Sequence, residues 1–280
     1  MVMAGATNTN DVTSAFAGEQ AGAVLRAQDS APPSRGDAVE IRSESTMASD
    51  QKIAGSVGLK NRIQILPHKP LPQFDTVCAN AFEASINGDL NRKCLAMIIK
   101  PGMPARMNVI ESISGISMSG VMSVVDYGPV DWPLTSDKRM AVIMDRPMGE
   151  KFLPANTHIF PKMSEADIMR AIAIPITSAL RQMANKGLTF RGINLYNMYW
   201  EDSSKQKLMF GDCFTIPPGY GQPTVFESNI GAMCDPAARS DGTITDDLFS
   251  LGVLILFLAI GRNPMADKQD DWLINSRIEL

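Results

Sequence analysis

The apolar residues of this chain follow two kinds of spacing, and the change comes near residue 148. Arg62-Ile63-Gln64-Ile65-Leu66 alternates in the two-residue period of a strand, so the ordered chain is expected to begin near Asn61. Phe74 to Ile86 and Cys94 to Ile99 read as two strands joined across Asn87-Gly88-Asp89, a good hairpin turn. Between Asn108 and Met118 the period lengthens. Val109, Ile110, Ile113 and Ile116 share one helical face, with Asn108 as the N-cap. Strands at Val121 to Val125 and Met140 to Met144 follow, linked by a loop holding Gly128, Pro129 and Pro133.

Beyond Pro147-Met148-Gly149 the pattern turns helical. A helix opens at Ser164 with Glu165 and Asp167 in its first turn and runs through Ile174 and Leu180 to a stop at Gly187. Pro175 inside it predicts a kink or a local break. A hairpin-like stretch from Asn197 to Phe214, a Pro/Gly-rich loop from Pro217 to Pro223 and an apolar helix over Thr245 to Ile260 complete the chain. A β-rich half followed by an α-rich half is an α+β pattern, expected as two lobes with a cleft between them. The boundaries are 60–147 for a β-rich N-lobe and 148–280 for a helical C-lobe.

Composition refines this picture. Residues 1–55 are rich in Ala, Ser, Thr, Gly, Asp and Asn and almost without large apolar side chains, so a disordered tail is expected there. The other residues suit a globular core, the chain being 45% apolar. A net charge of -4 offers no global attraction to nucleic acid or anionic lipid, and no nucleic-acid partner is expected. Four scattered cysteines without a CxxC pair, and two histidines, do not suggest a zinc site. No basic start leads into an apolar run, so a signal peptide is not expected and a cytoplasmic location is. Leu248 to Ile260 is too short to span a bilayer and reads as a buried helix.

The candidate chemistry lies in Phe190-Arg191-Gly192-Ile193-Asn194-Leu195-Tyr196-Asn197, followed by Asp212-Cys213-Phe214. Further on stand Asp247-Leu248-Phe249-Ser250-Leu251-Gly252-Val253 and Gly261-Arg262-Asn263-Pro264-Met265. In this order the strings resemble the protein kinase superfamily, loosely from Ile63 to Met265 and with specific motifs only in the second half. The resemblance implies a two-lobed protein-kinase-like fold with a small antiparallel sheet in the N-lobe. It also implies ATP and magnesium as cofactors. Asn197 and Asp212 stand at the positions that hold the metal, a carboxylate and an amide oxygen being the hard ligands magnesium takes. The plain alternative is a turn Asn and a surface Asp. Lys100 ends a strand similar to V-A-I-K, where the lysine reaches the phosphates, although a strand-end lysine is also an ordinary solvated residue. Glu111 is then its ion-pair partner or part of a solvated helix face. Met144, Asp145 and Pro147 fall at the inner strand and hinge, where main-chain groups would bond an adenine. Asp247 matches a buried Asp that supports the catalytic-loop backbone. Arg191 is the kind of arginine that pairs with a phosphorylated activation loop.

The departures weigh as much. Gly192 stands where the catalytic Asp is expected and Asn194 where a phosphate-steadying lysine is expected, so no catalytic residue is assigned. Pro72 to Ala81, where the phosphate loop should lie, has no glycine. Phe190 and Cys213-Phe214 replace the usual His and Phe-Gly, and the A-P-E string is at best Cys234-Asp235-Pro236. The chain stops at Leu280, short of the last helices of the family's C-lobe, which would then be minimal, truncated or completed by a partner. These features point to a degenerate, bacterial-type pseudokinase, retaining weak ATP and magnesium binding and acting on a protein partner as a regulatory or binding module. The alternative is an active ATP-dependent protein kinase or nucleotidyl transferase with a non-standard catalytic loop. General-base catalysis contributes ~10²–10⁴-fold, so losing the base alone does not exclude slow activity.

Overall fold

A computed structural model describes residues 55–87, 89–154 and 157–278. The expected tail up to residue 54, and Gly88 of the expected Asn87–Asp89 turn, lie outside the described residues. Six strands form one antiparallel sheet in the order β1-β2-β3-β4-β6-β5: β1 (Val57–Leu59), β2 (Ile63–Pro70), β3 (Ala79–Ile86), β4 (Asp89–Ile99), β5 (Val124–Trp132) and β6 (Asp137–Asp145). The second half of β4, Cys94–Ile99, reads as an unbroken apolar run because both of its faces are buried. Leu95, Met97 and Ile99 join Ala81, Val142 and Met144 in the main core, while Cys94, Ala96 and Ile98 point into a second cluster with Ile65, Phe82, Trp132 and Ile143.

Three sequence expectations shift here. β3 begins at Ala79 rather than Phe74, because Pro72–Phe74 coils into a 3-10 turn. Helix α1 (Met107–Ile113) starts after Arg106, and Asn108 is an exposed first-turn residue without a capping role. The expected loop around Gly128 and Pro129 is the middle of β5. A proline is tolerated there because β5 is the outer strand, and the β5–β6 turn falls after Trp132, with Ser136 at φ +54°.

The helical segments follow the predicted punctuation. Ser164 Oγ accepts the Asp167 amide at the start of α2 (Glu165–Ile168). A widened turn, Met169–Ala173, separates α2 from α3 (Ile174–Ala184). Pro175 has no N–H and its ring would strike a carbonyl four residues back, and the wide turn resets that register without stopping the helix. Strands β7 (Met198–Trp200) and β8 (Leu208–Phe210) pair as a hairpin. Helix α5 (Ile244–Ile260) starts at a Thr243/Asp246 capping box and ends at Gly261, φ +73°. The short α4 (Asn229–Met233) and polar α6 (Asp270–Ile278) carry too little apolar periodicity to stand out in the sequence. No described helix is long and apolar enough to cross a membrane.

One buried charge ties the edges of the sheet together. Asp126 on β5 accepts Lys60 Nζ and Arg62 Nη2, both at 2.6 Å, and the Tyr127 amide at 2.8 Å. Burial alone would push this carboxyl up, but the bonds from Lys60, Arg62 and the amide outweigh it and the net shift is downward. A carboxyl depressed by folding stabilises the fold above its unfolded pKa and loses that contribution as pH falls through the folded value. Asp126→Asn is expected to cost about 1–3 kcal/mol at neutral pH in urea unfolding. The gap between variant and wild type should narrow as pH falls through the folded pKa of Asp126, which lies below the usual carboxylate value.

Candidate functional site

The segment Thr189–Asn197 is held in place by a buried carboxylate. Asp247, in the first turn of α5, accepts the Phe190 amide through Oδ2 and the Arg191 amide through Oδ1, both at 2.7 Å. Burial pushes its carboxyl up, against the two amides and the nearby Arg191 and Arg106 cations. From the other side, buried Arg106 donates to the carbonyls of Phe190 (2.7 Å) and Thr189 (2.8 Å) and pairs with Asp241 at 2.9 Å. Arg106 was not among the candidates from the sequence, since a lone arginine before a helix carries no motif.

Gly192 has a neighbour that explains why it has no side chain. A Cβ built on it would lie 2.6 Å from Cys213 Cβ and 2.9 Å from its sulfur. The Cys213 thiol fills this space and donates to the Phe190 carbonyl at 3.1 Å, and burial pushes its pKa well up. Asn194 folds back on its own turn, Oδ1 accepting the Tyr196 amide at 2.9 Å. Asn197 spends Nδ2 on the carbonyls of Gly192 (3.0 Å) and Gly211 (3.3 Å), which fixes Oδ1 as its remaining acceptor. Asp212 Oδ1 accepts the amides of Phe214 (2.8 Å) and Thr215 (3.2 Å), and Oδ2 accepts the Thr215 hydroxyl. Burial raises the Asp212 carboxyl, with these bonds pulling the other way. Asn197 and Asp212 line one cavity of about 290 Å³ together with Gly192 and Asn194, and a smaller one of about 130 Å³.

Lys100 and Glu111 are not brought together as an ion pair. Lys100 Nζ donates to the carbonyls of Thr76 (3.2 Å) and Val77 (3.1 Å), while Glu111 is exposed on α1. The two carbonyls belong to the Leu71–Cys78 loop between β2 and β3, which folds inward. Its Phe74 ring packs 5.0 Å from Tyr199 on β7, and the Tyr199 hydroxyl donates to Gln73 O at 3.1 Å. Burial pushes the Tyr199 phenol up to about 12.

At the hinge, Met144 is buried in β6 and Asp145 accepts Arg92 Nε at 2.8 Å. The main-chain donors here are committed. Asp145 N bonds Ser123 O, Arg146 N bonds Lys93 O, Met148 N bonds Glu201 O and Gly149 N bonds Trp200 O. Pro147 has no N–H to offer. That signal is visible in the sequence.

Arg191 sits at φ +63° and donates through Nη2 to buried Glu227 at 2.8 Å. Arg239 reaches the same carboxylate at 3.4 Å and also donates to the carbonyls of Gly219 and Gln222. Arg191 Nε and Nη1 have no partner among the described residues. Glu227 is thus the acid that both arginines reach. Its neighbours, Thr224-Val225-Phe226, do not spell the family string, which is why it was missed.

These residues suit a nucleotide poorly. The hinge offers no free amide donor, the loop between β2 and β3 has no glycine and fills space with Phe74, and Lys100 is bonded to that loop. Magnesium fits in part. Asn197 Oδ1 and Asp212 could hold it, but two protein ligands leave most of its shell to water and substrate phosphates. Among the described residues no group of three or more His, Cys, Asp or Glu side chains is placed to hold a metal.

No protein-family model and no curated protein matches the chain. Among solved structures it is similar to Rad53 1–466 in complex with AMP-PNP. The TM-score is 0.54 at 14% identity, covering 77% of this chain and 53% of that one. It is also similar to the PAN3 pseudokinase of Drosophila melanogaster, with a TM-score of 0.48 at 18% identity, covering 79% and 57%. The chain spans a little over half the length of each. It has a protein-kinase-like fold.

The contact at Gly192 is open to a double-mutant test. Gly192→Ala is expected to destabilise by about 1–3 kcal/mol through overpacking. The same substitution in a Cys213→Gly background should cost less than half as much, read as a coupling energy from urea unfolding. Equal costs in both backgrounds would show that Cys213 does not set the limit.

Proposed function

We propose that this protein-kinase-like domain is a pseudokinase that works as a binding or regulatory module rather than as a phosphotransferase. The observation that carries the reading is the Gly192–Cys213 contact. The position where the family places its base has no side chain, and the room for one is taken by Cys213 Cβ. Asn194 in place of a lysine, the glycine-free loop and the hinge without a free donor support it further. Together they account for most of the positioning and electrostatics on which phosphoryl transfer depends.

The reading includes a division into a β-rich lobe up to about residue 147 and a helical lobe from 148. The continuous sheet up to Asp145 and the helices after Ser164 support it. It also includes a protein partner and a cytoplasmic setting. ATP and magnesium binding is weak at most in this reading, resting on Asn197 and Asp212. That those two side chains line one cavity favours the second reading, an active transferase.

Labelled ATP with magnesium separates the two. No transfer of label to the protein or to added acceptors is expected, and Gly192→Asp alone should not create any. Transfer that Asp212→Asn abolishes would establish the active enzyme instead. In thermal melts, millimolar ATP and magnesium should raise the wild-type midpoint by less than the ~5–11 °C that a ligand at a hundred times its Kd gives a domain of this size.

A further inference from the structure

The Leu71–Cys78 loop does more than lack glycine. Phe74 is buried in the main core and borders two compartments, one of about 270 Å³ toward Arg146–Lys151 and one of about 130 Å³ toward Asn197 and Asp212. Gln73, Lys151 and Tyr199 line both as well. Without the ring, the joined space falls in the range of roughly 300–1,000 Å³ typical of small-molecule sites.

We propose that this loop is an intramolecular occupant of the cavity, its Phe74 ring packed at a tilt of 38° against Tyr199 in the place of an aromatic ligand. The inference rests on the reading of this cavity as one that has lost its nucleotide. The loop is built to lie inward. Phe74 N bonds Leu71 O, Thr76 N bonds Ala79 O and Ala79 N bonds Thr76 Oγ1, so its own polar groups are satisfied in this shape. Asp75 Oδ1 accepts the Ala81 amide at 2.7 Å and hooks the loop onto β3. Across the cavity, Tyr199 bonds Gln73 O and the Thr76 hydroxyl lies 3.5 Å from that of Thr215.

Two further bonds hold the loop and its neighbour in this shape. Lys100 is bonded to the loop carbonyls, and Thr215 is also bonded to Asp212. The loop therefore competes with a ligand for space. A ligand must displace it, and its apparent affinity falls by the fraction of molecules with the loop out. The sheet and β7 are joined through Phe74 and Tyr199 with no ligand required.

Amide hydrogen exchange tests this in the full chain, using indole as the probe, with wild type, Phe74→Ala and Asp75→Ala. Asp75 is exposed, so the third protein remains informative if Phe74→Ala misfolds. Exchange at residues 71–81 and at Met198–Trp200 is expected to rise by about tenfold or more in the variants. Millimolar indole should slow it again in the variants and leave wild type unchanged. Faster exchange confined to the loop, or no protection by indole in either variant, would reduce the loop to a local turn. Equal uptake of indole by wild type would overturn the proposal as well. Label transfer from ATP reports on the catalytic reading separately, because this test reads occupancy of the cavity and not chemistry.

Discussion

The two amides that Asp247 accepts are the constraint on which the site depends. A carboxylate buried in the first turn of α5 is costly to desolvate, and its two charge-assisted bonds to Phe190 and Arg191 offset that cost. With those amides fixed, Arg191 is held at φ +63°, a conformation that costs a side-chain-bearing residue about 1–2 kcal/mol. Its guanidinium is thereby delivered to Glu227, and the chain beyond it is turned so that Asn197 can grip the Gly192 and Gly211 carbonyls. Arg106, just ahead of α1, closes the same knot.

The Asp247, Arg191 and Glu227 network satisfies buried charge wherever the fold is kept. A base at residue 192 or a glycine-rich loop serves only a reaction. Here the side-chain space at Gly192 is taken by Cys213, and Phe74 packs against Tyr199. A dense interior does not leave such space empty, and once filled it resists a larger side chain.

Much of the helical part was legible because local chemistry dictates it. Ser164, Gly187, Gly261 and the apolar run of α5 act within a few residues of themselves. The wide turn ahead of Pro175 was announced by the proline. The sheet was less legible. The second half of β4 is apolar on both faces, so alternation could not orient it, and Pro129 suggested a loop until the outer position of β5 made it acceptable. Arg106 and Glu227 were missed because their meaning lies in partners about 85 and 36 residues away.

The sequence alone determined the change from strands to helices near residue 148, the resemblance in Asn197, Asp212 and Asp247, and the departures at Gly192 and Asn194, because each is read from residue type and spacing along the chain. Only the tertiary structure decided what those departures mean. Whether Gly192 leaves an empty place or a filled one depends on Cys213, twenty-one residues on in the chain. The partner of Lys100 depends on how the Leu71–Cys78 loop folds. The hinge donors are committed by carbonyls from three other segments. Such competition for space and for hydrogen bonds is settled between distant parts of the chain, and residue spacing carries no record of it.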